Sequence, residues 1–168
     1  MASRDIADLH PEMEPLAYAF LDEVQRLKGL DVMGWDLLVY CALRSNEEQA
    51  KLWRRGRSRD EIERVFYKLR RDGDLNTIRL VTEAGPQPGS KRSQRVTNAL
   101  PGRSAHNYGL AIDAVPLDSG KALWGDGLAI DNMGIMGQTA GLEWAGTWTR
   151  FKERVHFQHP DWKDIVAR

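Results

Sequence analysis

Four residues carry the chemistry open to this chain: His106, Asp113, Glu153 and His156. Two imidazoles and a carboxylate form a donor set that zinc accepts. Three protein ligands leave a fourth tetrahedral position for water. In Glu153-Arg154-Val155-His156 a spare acid stands three residues before the second imidazole, where it can serve as general base on that water. A His and an Asp seven apart is a loose spacing, and Glu-x-x-His recurs by chance. The same residues also suit a loop histidine, a turn-capping aspartate and a C-terminal histidine packed on tryptophan. The neighbouring sequence favours the metal. Gly109-Leu110-Ala111-Ile112-Asp113-Ala114-Val115 reads as a buried strand bounded by Gly109 and Pro116. A carboxylate in such a run requires a compensating charge, and a cation supplies it.

The elements that must position these groups can be read on either side. From Pro15 to Leu27, Leu16, Ala19, Phe20, Val24 and Leu27 recur at helical spacing, with Gly29 as the stop. Asp36 to Ala42 predicts a strand. Ser45 is a helix cap, and Glu48 three residues on completes a capping box. Arg44 therefore stands at a strand-to-helix junction, where its side chain can reach into a cleft. Asp118 to Lys121 reads as a loop. Ile130 to Gly141 predicts a helix with Ile130, Met133 and Met136 on its apolar side and Gly141 as its end. Trp144, Trp148 and Phe151 suit core and pocket wall rather than a sugar platform. His156-Phe157-Gln158 suits a strand with His156 on one face. His10 and His159 read as surface histidines.

At 168 residues the chain is expected to form one catalytic domain spanning 1–168. Twenty-four Lys and Arg balance twenty-four Asp and Glu, so no global charge draws it to nucleic acid or to a membrane surface. Cys41, the single cysteine, lies in an apolar run and reads as an inert buried thiol. No run is long enough for stable membrane insertion, and no early apolar core marks a secretory leader. One stretch departs from the neutral average. Residues 51–95 hold thirteen Lys and Arg against six Asp and Glu, an excess of seven. Within it Ile62, Val65, Phe66 and Leu69 mark a short amphipathic helix starting near Asp60, and Ala84 to Ser93 reads as a Gly/Pro/Ser loop. A solvated helix and a flexible loop account for the stretch. So does attraction to anionic wall or lipopolysaccharide.

Three segments resemble a family of zinc peptidases, the D-alanyl-D-alanine carboxypeptidases and phage L-alanyl-D-glutamate endopeptidases. The first is Leu43-Arg44-Ser45-Asn46-Glu47-Glu48-Gln49, similar to that family's YRS-x-x-EQ. The second runs from Val96 through Pro101-Gly102-Arg103-Ser104 to the His106–Asp113 segment. The third runs from Gly141-Leu142-Glu143-Trp144 through Trp148 to Glu153, His156, Phe157 and Gln158. The layout looks closest to single-domain phage endolysins, with the basic stretch at about 54–95 as an insertion.

The resemblance implies an α+β fold of the LAS metallopeptidase type, in which a small antiparallel sheet flanked by helices carries the zinc site. It makes His106, Asp113 and His156 the Zn2+ ligands and Glu153 the catalytic acid. Arg44 would face the tetrahedral intermediate, and Ser104 would contact substrate. Leu43 stands where an aromatic is usual, and Val155 where many relatives carry Pro. The implied reaction is hydrolysis of the L-Ala–D-Glu bond in peptidoglycan stem peptides. The alternatives are a D-Ala-D-Ala carboxypeptidase or dipeptidase, and a non-catalytic wall-binding module. The implied biology is a monomeric endolysin made in a host cytoplasm, reaching the periplasm and the cell wall by way of a holin.

Overall fold

A five-stranded antiparallel sheet is built around one long strand, β2 (Ala111–Asp118). On one side lies β1 (Asp36–Cys41), with Leu38 opposite Val115 and Cys41 opposite Asp113. On the other lies β5 (His156–Gln158), with Asp113 opposite His156. The edge beyond β5 is β4 (Glu143–Trp144), and β3 (Lys121–Ala122) pairs with the far end of β2. These positions come from a computed structural model, which describes residues 2–85 and 95–168. The expected loop over Ala84–Ser93 falls mostly outside them.

The chain forms two compact units. One comprises Ala2–Leu43 and Tyr108–Arg168 and contains the sheet. There, α1 (Glu14–Gly29) and α5 (Gly127–Thr139) pack on the strands, and α6 (Trp162–Val166) closes the C-terminus. Phe20 of α1 meets Phe157 of β5 with ring centroids 4.8 Å apart. The approach of α5 depends on two missing side chains. A Cβ at Gly134 would lie 2.4 Å from the Trp144 ring, and one at Gly137 would lie 2.4 Å from the Phe157 ring. Both rings are buried, so neither can yield without opening the core.

Several boundaries differ from the sequence expectations. The strand begins at Ala111 rather than Gly109 and runs through Pro116, which stands opposite Leu37. Pro116 lies beyond the pairing with β5, and its carbonyl accepts from the Leu123 N–H at 2.8 Å. Asp118 to Lys121 is a tight hairpin, not a loop, with Ser119 and Gly120 both at positive φ. The last long helix starts at Gly127, three residues early, because the Asp126 side chain caps the Ala129 N–H. It ends at Thr139, with Gly141 left-handed just beyond (φ 91°).

The other unit spans Arg44–Asn107 and is helical: α2 (Asn46–Arg54), α3 (Arg59–Arg71) and α4 (Leu75–Glu83). Ala50, Trp53, Ile62, Leu80 and Val81 make its core. Ser45 caps α2 by accepting from the Glu48 N–H at 3.2 Å. The two-way capping box sits one helix later, where Ser58 and Glu61 each hold the other's backbone. Among the described residues no helix is long and apolar enough to cross a membrane.

Candidate metal centre

The sheet register sets a row of three donors across three strands. Cys41 on β1 and His156 on β5 both stand opposite Asp113 on β2. The pairing of β1 with β2 slips between Val39 and Cys41. A bulge at this point re-aims the flanking side chains, a device common beside active sites. Asp113 Oδ1 lies 3.0 Å from His156 Nδ1, and both side chains are largely buried. A Cys41 Sγ to Asp113 oxygen separation also falls within 4.8 Å.

Hydrogen bonding on the far side of the ring fixes which nitrogen of His156 is protonated. Gln158 Nε2 donates to Glu143 Oε2 at 2.6 Å, so Gln158 turns its Oε1 toward His156 Nε2, 3.2 Å away. An amide oxygen only accepts, so the proton sits on Nε2. Nδ1 then aims a lone pair at a carboxylate oxygen. A metal ion placed between them would be bound by both. With bonds near 2 Å, two ligands of a tetrahedral zinc stand about 3.3 Å apart, close to the separation found here. The donors present therefore fit zinc, and the Nε2–H bond to Gln158 is the kind of outer contact that holds a metal-ligating imidazole in place.

That outer contact extends further. Glu143 Oε1 accepts from the Trp148 indole N–H at 2.7 Å, and the Trp148 ring lies 5.7 Å from that of His156. Trp148, Glu143 and Gln158 also border a recess of about 430 Å3 that continues to Asp161 and Trp162. Trp144 is buried, as expected of core, whereas Phe151 is exposed.

Glu153 precedes this strand in a turn closed by the His156 N–H donating to the Glu153 carbonyl at 3.0 Å. The turn is fastened through its neighbour Arg154. That side chain donates to the Gly127 carbonyl at 2.7 Å and pairs with Asp131 of α5, while the Arg154 carbonyl accepts from the Trp144 indole at 2.8 Å. His10 and His159, expected on the surface, are half-buried, and each accepts a backbone N–H two residues on.

The helical unit holds the remaining predicted residues. His106 is buried in a 3-10 turn, Ala105–Tyr108, and its carbonyl accepts from the Arg44 N–H at 2.9 Å. Asn107 ties the same segment together: its amide donates to the Arg44 carbonyl, and its oxygen accepts from the Gly102 and Ser104 N–H groups. The Arg44 guanidinium donates to Gln49 Oε1 at 2.9 Å, and the fully buried Gln49 in turn donates to the Ala99 carbonyl at 2.7 Å. Arg44, Ser104 and His106 are thus gathered in one unit, and Asp113, Glu153 and His156 in the other.

Sequence reasoning missed Gln158 and Gln49 as orienting residues, Arg154 as an anchor, and the place of Cys41 opposite Asp113. The glutamines had a faint signal, since a buried amide always needs partners. Cys41 had none, because only strand pairing puts it beside Asp113.

A family model described as D-alanyl-D-alanine carboxypeptidase matches residues 97–159. The peptidoglycan L-alanyl-D-glutamate endopeptidase CwlK of Bacillus subtilis (strain 168) is 29% identical over 164 residues, covering 90% of this chain and 74% of CwlK. Among solved structures, the Serratia marcescens L-Ala D-Glu endopeptidase ChiX aligns with a TM-score of 0.55 at 18% identity, over 98% of this chain and 92% of ChiX. The vancomycin-resistance D,D-pentapeptidase VanY, solved with Zn(II), aligns with a TM-score of 0.51 at 14% identity, over 95% of this chain and 79% of VanY. The α+β fold is that of these solved structures, and the chain is similar to the D-alanyl-D-alanine carboxypeptidase family model over residues 97–159 and to the L-alanyl-D-glutamate endopeptidase CwlK over most of its length.

Proposed function

We propose that the chain is a zinc peptidase that hydrolyses the L-Ala–D-Glu bond in peptidoglycan stem peptides. The observation that carries this reading is the Asp113–His156 pair, with Nδ1 facing Oδ1 at 3.0 Å inside the segment matched by the carboxypeptidase family model. His106 is the third ligand in this reading. Zinc bound there would activate water and polarise the scissile carbonyl.

The chain's own groups do the rest. Glu153 takes a proton from the attacking water and returns it to the leaving amine. Arg44 aims its guanidinium at the developing oxyanion, oriented by Gln49. Ser104 contacts the substrate backbone, and the recess beside Trp148 receives a short peptide. The named activity of CwlK favours the L-Ala–D-Glu bond. The description of the matching family model favours the second reading, a D-Ala-D-Ala carboxypeptidase or dipeptidase.

Digesting purified peptidoglycan and identifying the new termini by mass spectrometry separates the readings. New N-terminal D-Glu is the expected result. Released D-Ala selects the carboxypeptidase. No new terminus reduces the chain to a wall-binding module. In biological role, the order of the three motifs supports a phage endolysin. Such a protein would act as a monomer, made in the host cytoplasm and admitted to the periplasm by a holin.

A further inference from the structure

The basic excess of residues 51–95 is not spread evenly over the helical unit. Part of it converges on a recess of about 480 Å3 between α3 and the segment 95–103. Five cations line it: Arg57, Arg64, Lys68, Arg95 and Arg103. Two anions, Glu61 and Asp72, line it as well, leaving an excess of three positive charges. Arg64 and Lys68, four residues apart, share one face of α3, and Asp72 follows at its C-terminal cap.

The anions are already engaged. Glu61 pairs with Arg95 and accepts from the Ser58 N–H, and Asp72 pairs with Arg71. Asp74, outside the recess, takes Arg103. Arg57 is held by neutral oxygens alone among the described residues: the carbonyls of Trp53 and Thr97 and the side chain of Asn98. Its guanidinium carbon lies over the Trp53 ring, 4.3 Å from the centroid. Burial, with Arg95 adding repulsion, draws its pKa down to about 10. Arg64 donates to the Asp60 carbonyl, and Lys68 makes no ion pair among the described residues. Three cations therefore face one concavity without an ion-pair partner among the described residues.

We propose that this recess binds a phosphate group of an anionic polymer, with Arg57, Arg64 and Lys68 supplying the charge. A guanidinium fork matches two oxygens of one phosphate. A pendant or terminal phosphate monoester on such a polymer carries roughly 1.5–2 negative charges at neutral pH, a closer match to an excess of three than a single carboxylate offers. The recess is larger than a bare phosphate and has room for the sugar or polyol that bears it. A projecting group fits a concavity better than the plane of a bilayer does. The excess of seven across 51–95 extends past the recess, so a repeating polyanion gains from neighbouring repeats.

The test uses the full chain at constant ionic strength, with inorganic phosphate and long-chain polyphosphate as probes. Amide and side-chain NMR signals of α3 and the Trp53 indole should shift saturably with phosphate. Polyphosphate affinity should fall about tenfold or more in the double variant Arg64→Ala/Lys68→Ala, equivalent to at least ~1.4 kcal/mol. Arg57→Lys, which keeps the charge but loses the fork, should also weaken it. Chloride at matched ionic strength giving the same shifts would overturn the proposal. So would unchanged affinity in the double variant, which alters only exposed side chains. Binding to phosphatidylglycerol vesicles without binding to polyphosphate would assign the surface to membranes instead. Neither probe contains a peptide bond, so the outcome is independent of the peptidase reading.

Discussion

Gln158 presents its amide oxygen to His156 Nε2 at 3.2 Å and so decides which ring nitrogen faces Asp113. Glu143 fixes the amide from behind at 2.6 Å. The orientation of the His156 imidazole thus rests on a carboxylate two hydrogen bonds away. Glu143→Gln can still accept from Trp148 but lets the Gln158 amide turn over. We expect it to keep its fold by circular dichroism and to weaken zinc about 10–100-fold, the usual cost of losing an outer partner. Competition against a chromophoric chelator reads this directly. Unaltered zinc affinity together with a damaged fold would make Glu143 a structural residue only.

The metal assignment itself is tested by stoichiometry. Elemental analysis should find about one zinc per chain, and His156→Ala should lose it, since Asp113 would then face no imidazole across the β2–β5 pair. Full occupancy in that variant would place the metal elsewhere.

Glu153 separates ligand from base. Its turn is fastened through Arg154 to α5 and β4. Glu153→Ala should therefore retain zinc and fold while turnover falls roughly 10²–10⁴-fold, the range for a positioned proton-transfer group. Loss of zinc in Glu153→Ala would move this residue among the ligands.

Why the sheet could be read and the outer contacts could not follows from the range of the signals involved. Asp36 to Cys41, Ala111 to Val115 and the helices over Leu16–Leu27 and Ile62–Leu69 carry apolar periodicity, a local property of the chain. The helix over Leu75–Glu83 escaped notice. Its Thr77, Val81 and Thr82 are β-branched and weak helix formers, and it is held by the Asp74 cap and by burial of Leu80 and Val81. The two-residue strand Glu143–Trp144 is too short to show any period. Asp113 drew notice because its carboxylate falls in an apolar strand, and His156 because an acid stands three residues before it, although neither spacing is specific by itself. Cys41 and Gln158 acquire meaning only once β1, β2 and β5 are paired in register.

Packing around the site gives a prediction independent of chemistry. Gly137→Ala would drive a methyl into the Phe157 ring, and Phe157 is flanked in sequence by His156 and Gln158. Overpacking of this kind costs typically ~1–3 kcal/mol, read as a lowered urea midpoint. Gly125→Ala, where an added Cβ meets nothing within 4 Å, is the matched control and should stay near wild type. Equal midpoints for the two variants would mean that α5 can shift away from the sheet.

The endolysin role predicts lysis under defined conditions. Gram-negative cells with a permeabilised outer membrane present a thin, accessible murein layer, so their turbidity should fall when the protein is added from outside. If the basic surface over 51–95 helps it hold anionic envelope polymers, the rate of clearing should drop as salt is raised. Exposed charges reach only about 8 Å at physiological ionic strength, whereas a buried zinc centre is screened far less. Hydrolysis of isolated stem peptides should therefore stay nearly constant over the same salt range. If permeabilised cells fail to clear while stem peptides are cut, the protein serves wall recycling or antibiotic resistance rather than lysis. A salt response of equal size in both assays would place the electrostatic effect in the catalytic cleft and not in the basic stretch.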